Sequence, residues 1–86
     1  MASSTALCGS IKQGVDYSGN DIRSFSVNGD AATQLAQCCQ GCSTTSGCVG
    51  FSIDDGTCWL KHKLANATPL KGVVSGSYQK NRLRRQ

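Results

Sequence analysis

Residues 38–61 read CCQGCSTTSGCVGFSIDDGTCWLK. Five of the six cysteines lie here, spaced CC-x2-C-x5-C-x9-C, and the sixth is Cys8. Six cysteines in 86 residues mark a small scaffold stapled by disulfides. The staples are needed. Apolar residues make up 38% of the chain, below the usual share of roughly 45–50%, and a core this small is marginal by itself. Each bridge contributes on the order of 2–4 kcal/mol, comparable to the net stability of a small domain. The even count leaves no thiol over. The pattern points to an oxidising compartment, so the expectation is a secreted or cell-surface protein.

Just before the stretch, Asp30 is a good N-cap for Ala31 onward. Leu35, Cys38, Cys39 and Cys42 fall at i, i+3, i+4 and i+7, so a helix over 31–42 presents three sulfurs on one face. After it, Ser43 to Gly47 is a polar turn. Val49, Phe51 and Ile53 alternate with Gly50 and Ser52 as a half-buried strand. Asp54-Asp55-Gly56 signals a hairpin, and 57–63 is its return strand. There Cys58, Leu60 and His62 share one face; Trp59, Lys61 and Lys63 share the other.

Further out, 8–15 and 22–27 read as strands around the turn cluster 16–21. In the second, Ile22, Ser24 and Ser26 oppose Arg23, Phe25 and Val27. Residues 66–70 read as a loop around Pro69, and 73–78 as a last strand. The class is α+β: a small antiparallel sheet of four or five strands crossed by one helix. The domain is expected over 7–79, after a disordered leader at 1–6 and before a basic tail or linker at 80–86. Met1 reads as an addition to a module excised from a longer secreted protein.

Six cysteines allow 15 pairings. Cys42 and Cys48 can close locally across their turn. Cys58 needs a partner on the helix, either Cys38 or Cys39, and the other is left for Cys8. Periodicity does not choose between them.

The string Cys38-x3-Cys42-x5-Cys48-Val49-Gly50-Phe51, followed by Thr57-Cys58-Trp59-Leu60-Lys61, resembles the core of the PAN/apple domain family. Gly14-Val15-Asp16-Tyr17-Ser18-Gly19-Asn20-Asp21-Ile22 and Val74-Ser75-Gly76 extend the resemblance over residues 8 to about 78. It implies a five-stranded antiparallel sheet cradling one helix, with bridges Cys38–Cys58 and Cys42–Cys48. The longer apple form ties its ends with a C-terminal cysteine, and none follows Cys58 here. That departure assigns Cys8 to Cys39. The resemblance also implies a non-catalytic, lectin-like or protein-binding adhesion module without a cofactor.

Other chemistries find little purchase. One histidine, His62, would have to serve any Ser-His-Asp arrangement, and it reads as a strand residue filling space under the helix. Adjacent Asp54 and Asp55 on a hairpin point apart and build no glycosidase cleft. Asp16, Asn20 and Asp21 lack the spacing of an EF-hand. Zinc sites favour two separated C-x2-C knuckles, and only Cys39 and Cys42 have that spacing. The net charge of +4 gathers in Lys80, Arg82, Arg84 and Arg85. No aromatic residue interleaves with them, which argues against nucleic acid. No run approaches 18 apolar residues, so no membrane span is expected.

Recognition then falls to the surface. Trp59 points away from the helix, with Lys61 and Lys63 at its rim, a platform on which a sugar ring stacks. The competing reading packs Trp59 beneath the 64–72 loop. Tyr17, among Asp16, Asn20, Asp21 and Arg23, and Tyr78 are lesser candidates. Asn66-Ala67-Thr68 is a glycosylation sequon, with Pro69 after it disfavouring use. The leading expectation is a carbohydrate-binding module for a cell-wall polysaccharide or surface glycan; the alternative is a protein-docking module.

Overall fold

In the computed structural model, residues 8–79 are described; the leader expected at 1–6 and the basic tail expected at 80–86 lie outside them. Five strands and one helix follow in the order β1 (Cys8–Tyr17), β2 (Asp21–Ser26), α1 (Ala31–Ser43), β3 (Gly50–Asp54), β4 (Thr57–Lys61) and β5 (Ala67–Tyr78). All strand pairs are antiparallel, in the spatial order β1-β5-β3-β4-β2.

The helix begins where the sequence predicts. The Asp30 side chain accepts the Thr33 amide at 2.8 Å. These hydrogen bonds from Thr33 favour the carboxylate and hold the Asp30 pKa below its ordinary value. The helix buries Cys38, Cys39 and Cys42 against one face of the sheet. There they meet Val27, Phe51, Ile53, Cys58, Leu60 and Tyr78. The disulfides are Cys8–Cys39, Cys38–Cys58 and Cys42–Cys48, the pairing that the family resemblance implies. No cysteine is free, so no thiolate remains for zinc. The β3–β4 turn places Asp55 at φ 51° and Gly56 at φ 75°, the two positive angles of a type I′ turn.

Two strands differ from expectation. β5 starts at Ala67, so the loop expected at 66–70 is largely strand. Tyr17, Asp16 and Val15 pair with Ala67, Thr68 and Pro69. β3 pairs only with residues 74–77 of β5, so Pro69 lies where β5 has β1 as its one neighbour and a missing N–H disturbs no second ladder. β4 in turn ends at Lys61 rather than Lys63. His62 and Lys63 form an exposed bend, so His62 does not fill space under the helix. Its amide donates to the Asn20 carbonyl at 3.0 Å, which turns the chain out of the strand.

The far half of the β1–β5 ribbon folds over the sheet face opposite the helix. Three hydrogen bonds hold it there. The Tyr17 amide donates to Ser52 Oγ at 3.4 Å, Ser52 and Ser75 share a hydrogen bond at 2.7 Å, and Ser75 Oγ donates to the Val15 carbonyl at 2.5 Å. With Ser75 spent on Val15, Ser52 is the donor between the two hydroxyls. Both serines are fully buried, and the relay satisfies them, since an unpaired buried hydroxyl is costly. This overlay builds the walls of the site described next.

Candidate functional site

Alternation along β4 sends Cys58 and Leu60 into the helix-side core, both fully buried, and turns Trp59 and Lys61 the other way. Trp59 keeps 38% of its surface exposed. It stands beside Ser52 of β3 and Ser24 of β2 in the strand register. Around it lies an open pocket of about 210 Å³, lined by Asp16, Ser18, Gly19, Asp21, Trp59 and Lys61, with Asp54 at one side.

Lys61 differs from the free rim donor expected of it. It is 3% exposed. Its ammonium donates to the Gly19 carbonyl at 3.1 Å and forms an ion pair with Asp21. The pair pins the 18–21 turn onto the sheet. Asp21 itself remains 41% exposed, so its carboxylate meets both the ammonium and solvent. The pocket therefore joins one aromatic face, three carboxylates and one buried cation. A carboxylate accepts from hydroxyl donors, and an indole offers an apolar face with a polar edge. Since the Lys61 ammonium already sits on Asp21, it offsets that carboxylate's charge, and Asp16 and Asp54 are the pocket carboxylates without it. Among the described residues, no group of three or more His, Cys, Asp or Glu is placed to hold a metal ion.

The remaining sequence candidates scatter. Arg23 lies toward the helix side: its guanidinium is 5.2 Å from the Phe25 ring centroid, and Nη1 donates to Thr45 Oγ1 at 3.4 Å. A register shift between Asp21 and Arg23 separates the two, so of the grouping of Tyr17 with Asp16, Asn20, Asp21 and Arg23, Arg23 stands apart while Asp16 and Asp21 line the pocket. Lys63 sits in the bend beyond β4, where alternation no longer places it beside Trp59. Tyr78 is 5% exposed and packs in the helix-side core, which removes it as a surface contact. Tyr17 and Asn20 are half-buried; Tyr17 anchors the overlay, and Asn20, at φ 60°, shapes the turn.

Asp54 lines the pocket without having been singled out for it, and Asp16, grouped with Tyr17 from the sequence, lines it too. Asp54 was legible: it shares a face with Ser52, opposite Phe51 and Ile53, and so the face of Trp59. The nearness of Asp16 to Trp59 was not, because it depends on the ribbon folding over the sheet. A second, larger cleft of about 430 Å³ opens on the helix side. Its apolar walls come from Ile11, Ala31, Leu35, Ile53 and Val74. It forms where α1, β1, β3 and β5 converge, which no local pattern announces.

No curated protein matches the chain. The PAN domain family model matches residues 15–61, more than half of the 86 residues. That span holds every residue lining the Trp59 pocket. Such domains are binding modules, and a sheet-and-helix body held by three disulfides suits an oxidising, extracellular setting. No helix among the described residues is long and apolar enough to cross a membrane. The cysteine framework, the order of strands around the single helix and the matched span agree: the chain belongs to the PAN domain family.

Proposed function

We propose that this module binds carbohydrate, on a cell-wall polysaccharide or a surface glycan, through the pocket around Trp59. The observation that carries the reading is the half-exposed indole set among Asp16, Asp21 and Asp54, beside the buried Lys61 ammonium. A sugar ring lays its C–H face on the indole while its hydroxyls donate to the carboxylates. The pocket is smaller than the roughly 300–1,000 Å³ of drug-sized sites, so it suits one sugar unit of a longer chain. No catalytic step is part of this role.

The test uses the intact module with a glycan array and pull-down on insoluble polysaccharide. Wild type is expected to bind and to show a change in Trp59 fluorescence. Trp59→Ala is expected to lose at least tenfold in affinity, about 1.4 kcal/mol. Equal binding by the two proteins refutes the stacking role. Protein docking is the alternative, and the apolar helix-side cleft favours it. A flat glycan array, with a protein partner retained by wild type and lost on Leu35→Glu, would replace the carbohydrate reading.

A further inference from the structure

We propose that Asn66 is an N-glycosylation site and that its glycan screens the mouth of the Trp59 pocket. The proposal goes beyond the binding reading: it needs the geometry of the pocket, not the identity of its ligand. Asn66-Ala67-Thr68 is an acceptor tripeptide; Pro69 after it lowers the efficiency of transfer, but all three residues are exposed and open to it. Asn66 closes the loop into β5 at φ 59°, a left-handed conformation that asparagine tolerates better than most residues. The Thr68 hydroxyl donates to the Asn66 carbonyl at 2.8 Å, so the tripeptide holds its shape by an internal bond. None of it belongs to the core, and a glycan there displaces no packed side chain.

The register supplies the position. Ala67 pairs with Tyr17 and Thr68 with Asp16. The ladder ends at Tyr17 and Ala67, so Asn66 is the first residue beyond it, two positions from Thr68, which faces Asp16. Asp16 and Ser18 both line the Trp59 pocket. A glycan rooted at Asn66 therefore starts beside the pocket wall. In the transfer, Asn66 Nδ2 bonds to the anomeric carbon of an oligosaccharide carried on a lipid diphosphate. The anomeric C–O bond breaks, the diphosphate leaves with its electron pair, and the amide gives up one proton.

The chain is secreted from a eukaryotic cell line and its intact mass recorded before and after treatment with peptide-N-glycosidase. The expected result is a glycan-sized mass that the enzyme removes and that Thr68→Ala, with Asn66 intact, never acquires. Trp59 is the only tryptophan, so acrylamide quenching of its fluorescence reads access to the pocket. Quenching is expected to be weaker in the glycosylated protein and to recover on deglycosylation. Unmodified Asn66 in the secreted wild type overturns the proposal, and so does a glycan that leaves quenching unchanged. Neither readout involves a sugar ligand, so failure here is distinct from failure of the carbohydrate reading, which appears in the pull-down.

Discussion

Removing the Cys8–Cys39 bridge tests how the disulfides hold this fold. It closes a loop across 31 positions, against 20 for Cys38–Cys58 and 6 for Cys42–Cys48. In the chain-entropy account, a bridge stabilises by restricting the unfolded chain, and more so for longer loops. The three lengths convert to about 3.7, 3.3 and 2.2 kcal/mol. The bridges do not act independently. Cys42–Cys48 is nested inside Cys38–Cys58 and shortens its effective loop, which lowers that contribution to about 3 kcal/mol. Nothing shortcuts the path from Cys8 to Cys39. The double variant Cys8→Ala/Cys39→Ala is therefore expected to be the most destabilised of the three pairs, and Cys42→Ala/Cys48→Ala the least. The assay is equilibrium denaturation of each oxidised double variant, with midpoints and slopes compared. An m-value that rises with the midpoint loss marks the looser unfolded state that the account requires. If the smallest loop proved costliest, sulfur packing under the helix, and not chain restriction, would set the stability.

Three further outcomes follow from single side chains. Gly50→Ala is expected to cost about 1–3 kcal/mol, because a Cβ there would meet the Gly76 carbonyl at 2.6 Å and the Leu64 side chain at 2.7 Å; thermal denaturation reads it. Lys61→Met is expected to cost about 1–2 kcal/mol, below the figure for a fully buried pair because Asp21 stays 41% exposed and rehydrates; urea denaturation measures it, and acrylamide quenching of Trp59 should rise as the 18–21 turn loosens. Asp30 has a folded pKa below its unfolded one, so its contribution is complete above the unfolded carboxylate pKa of about 4 and disappears as pH falls through the folded value. The melting-temperature gap between wild type and Asp30→Asn should therefore be widest near neutrality and narrow in acid; a gap that widened in acid would contradict the cap.

Much of the scaffold was legible because its signals are local. Asp30 announces the helix, the i, i+3, i+4, i+7 cysteines announce its buried face, and Asp55-Gly56 announces the hairpin. Trp59 was legible in its direction, since alternation along β4 fixes which face it takes. Alternation does not say what covers a face. Lys61 was placed correctly on the Trp59 side, yet the overlay of residues 15–21 buried it, and that overlay depends on hydroxyls of Ser52 and Ser75 distant in sequence. Tyr78 and Arg23 failed for related reasons: one lies under the helix at the end of the longest strand, and the other follows a register shift that periodicity cannot locate. The Pro69 segment looked like a loop because proline disfavours central strands, whereas here it occupies a stretch with one partner.

The pairing of Cys8 with Tyr78 across β1 and β5 has a mechanical consequence. Polypeptide continuing past either residue departs from nearly the same spot, so the domain hangs as a pendant and adds little to the reach of a chain that carries it. Tension on both flanks would peel β1 from β5 one rung at a time, a zipper geometry that yields at low force. The sulfur link from Cys8 to the helix fixes that end of β1 to the body, so β5 must part from β1 and β3 together rather than from β1 alone. Under reducing conditions that safeguard vanishes, and shear flow or cell traction would unravel the edge that the bridge otherwise locks.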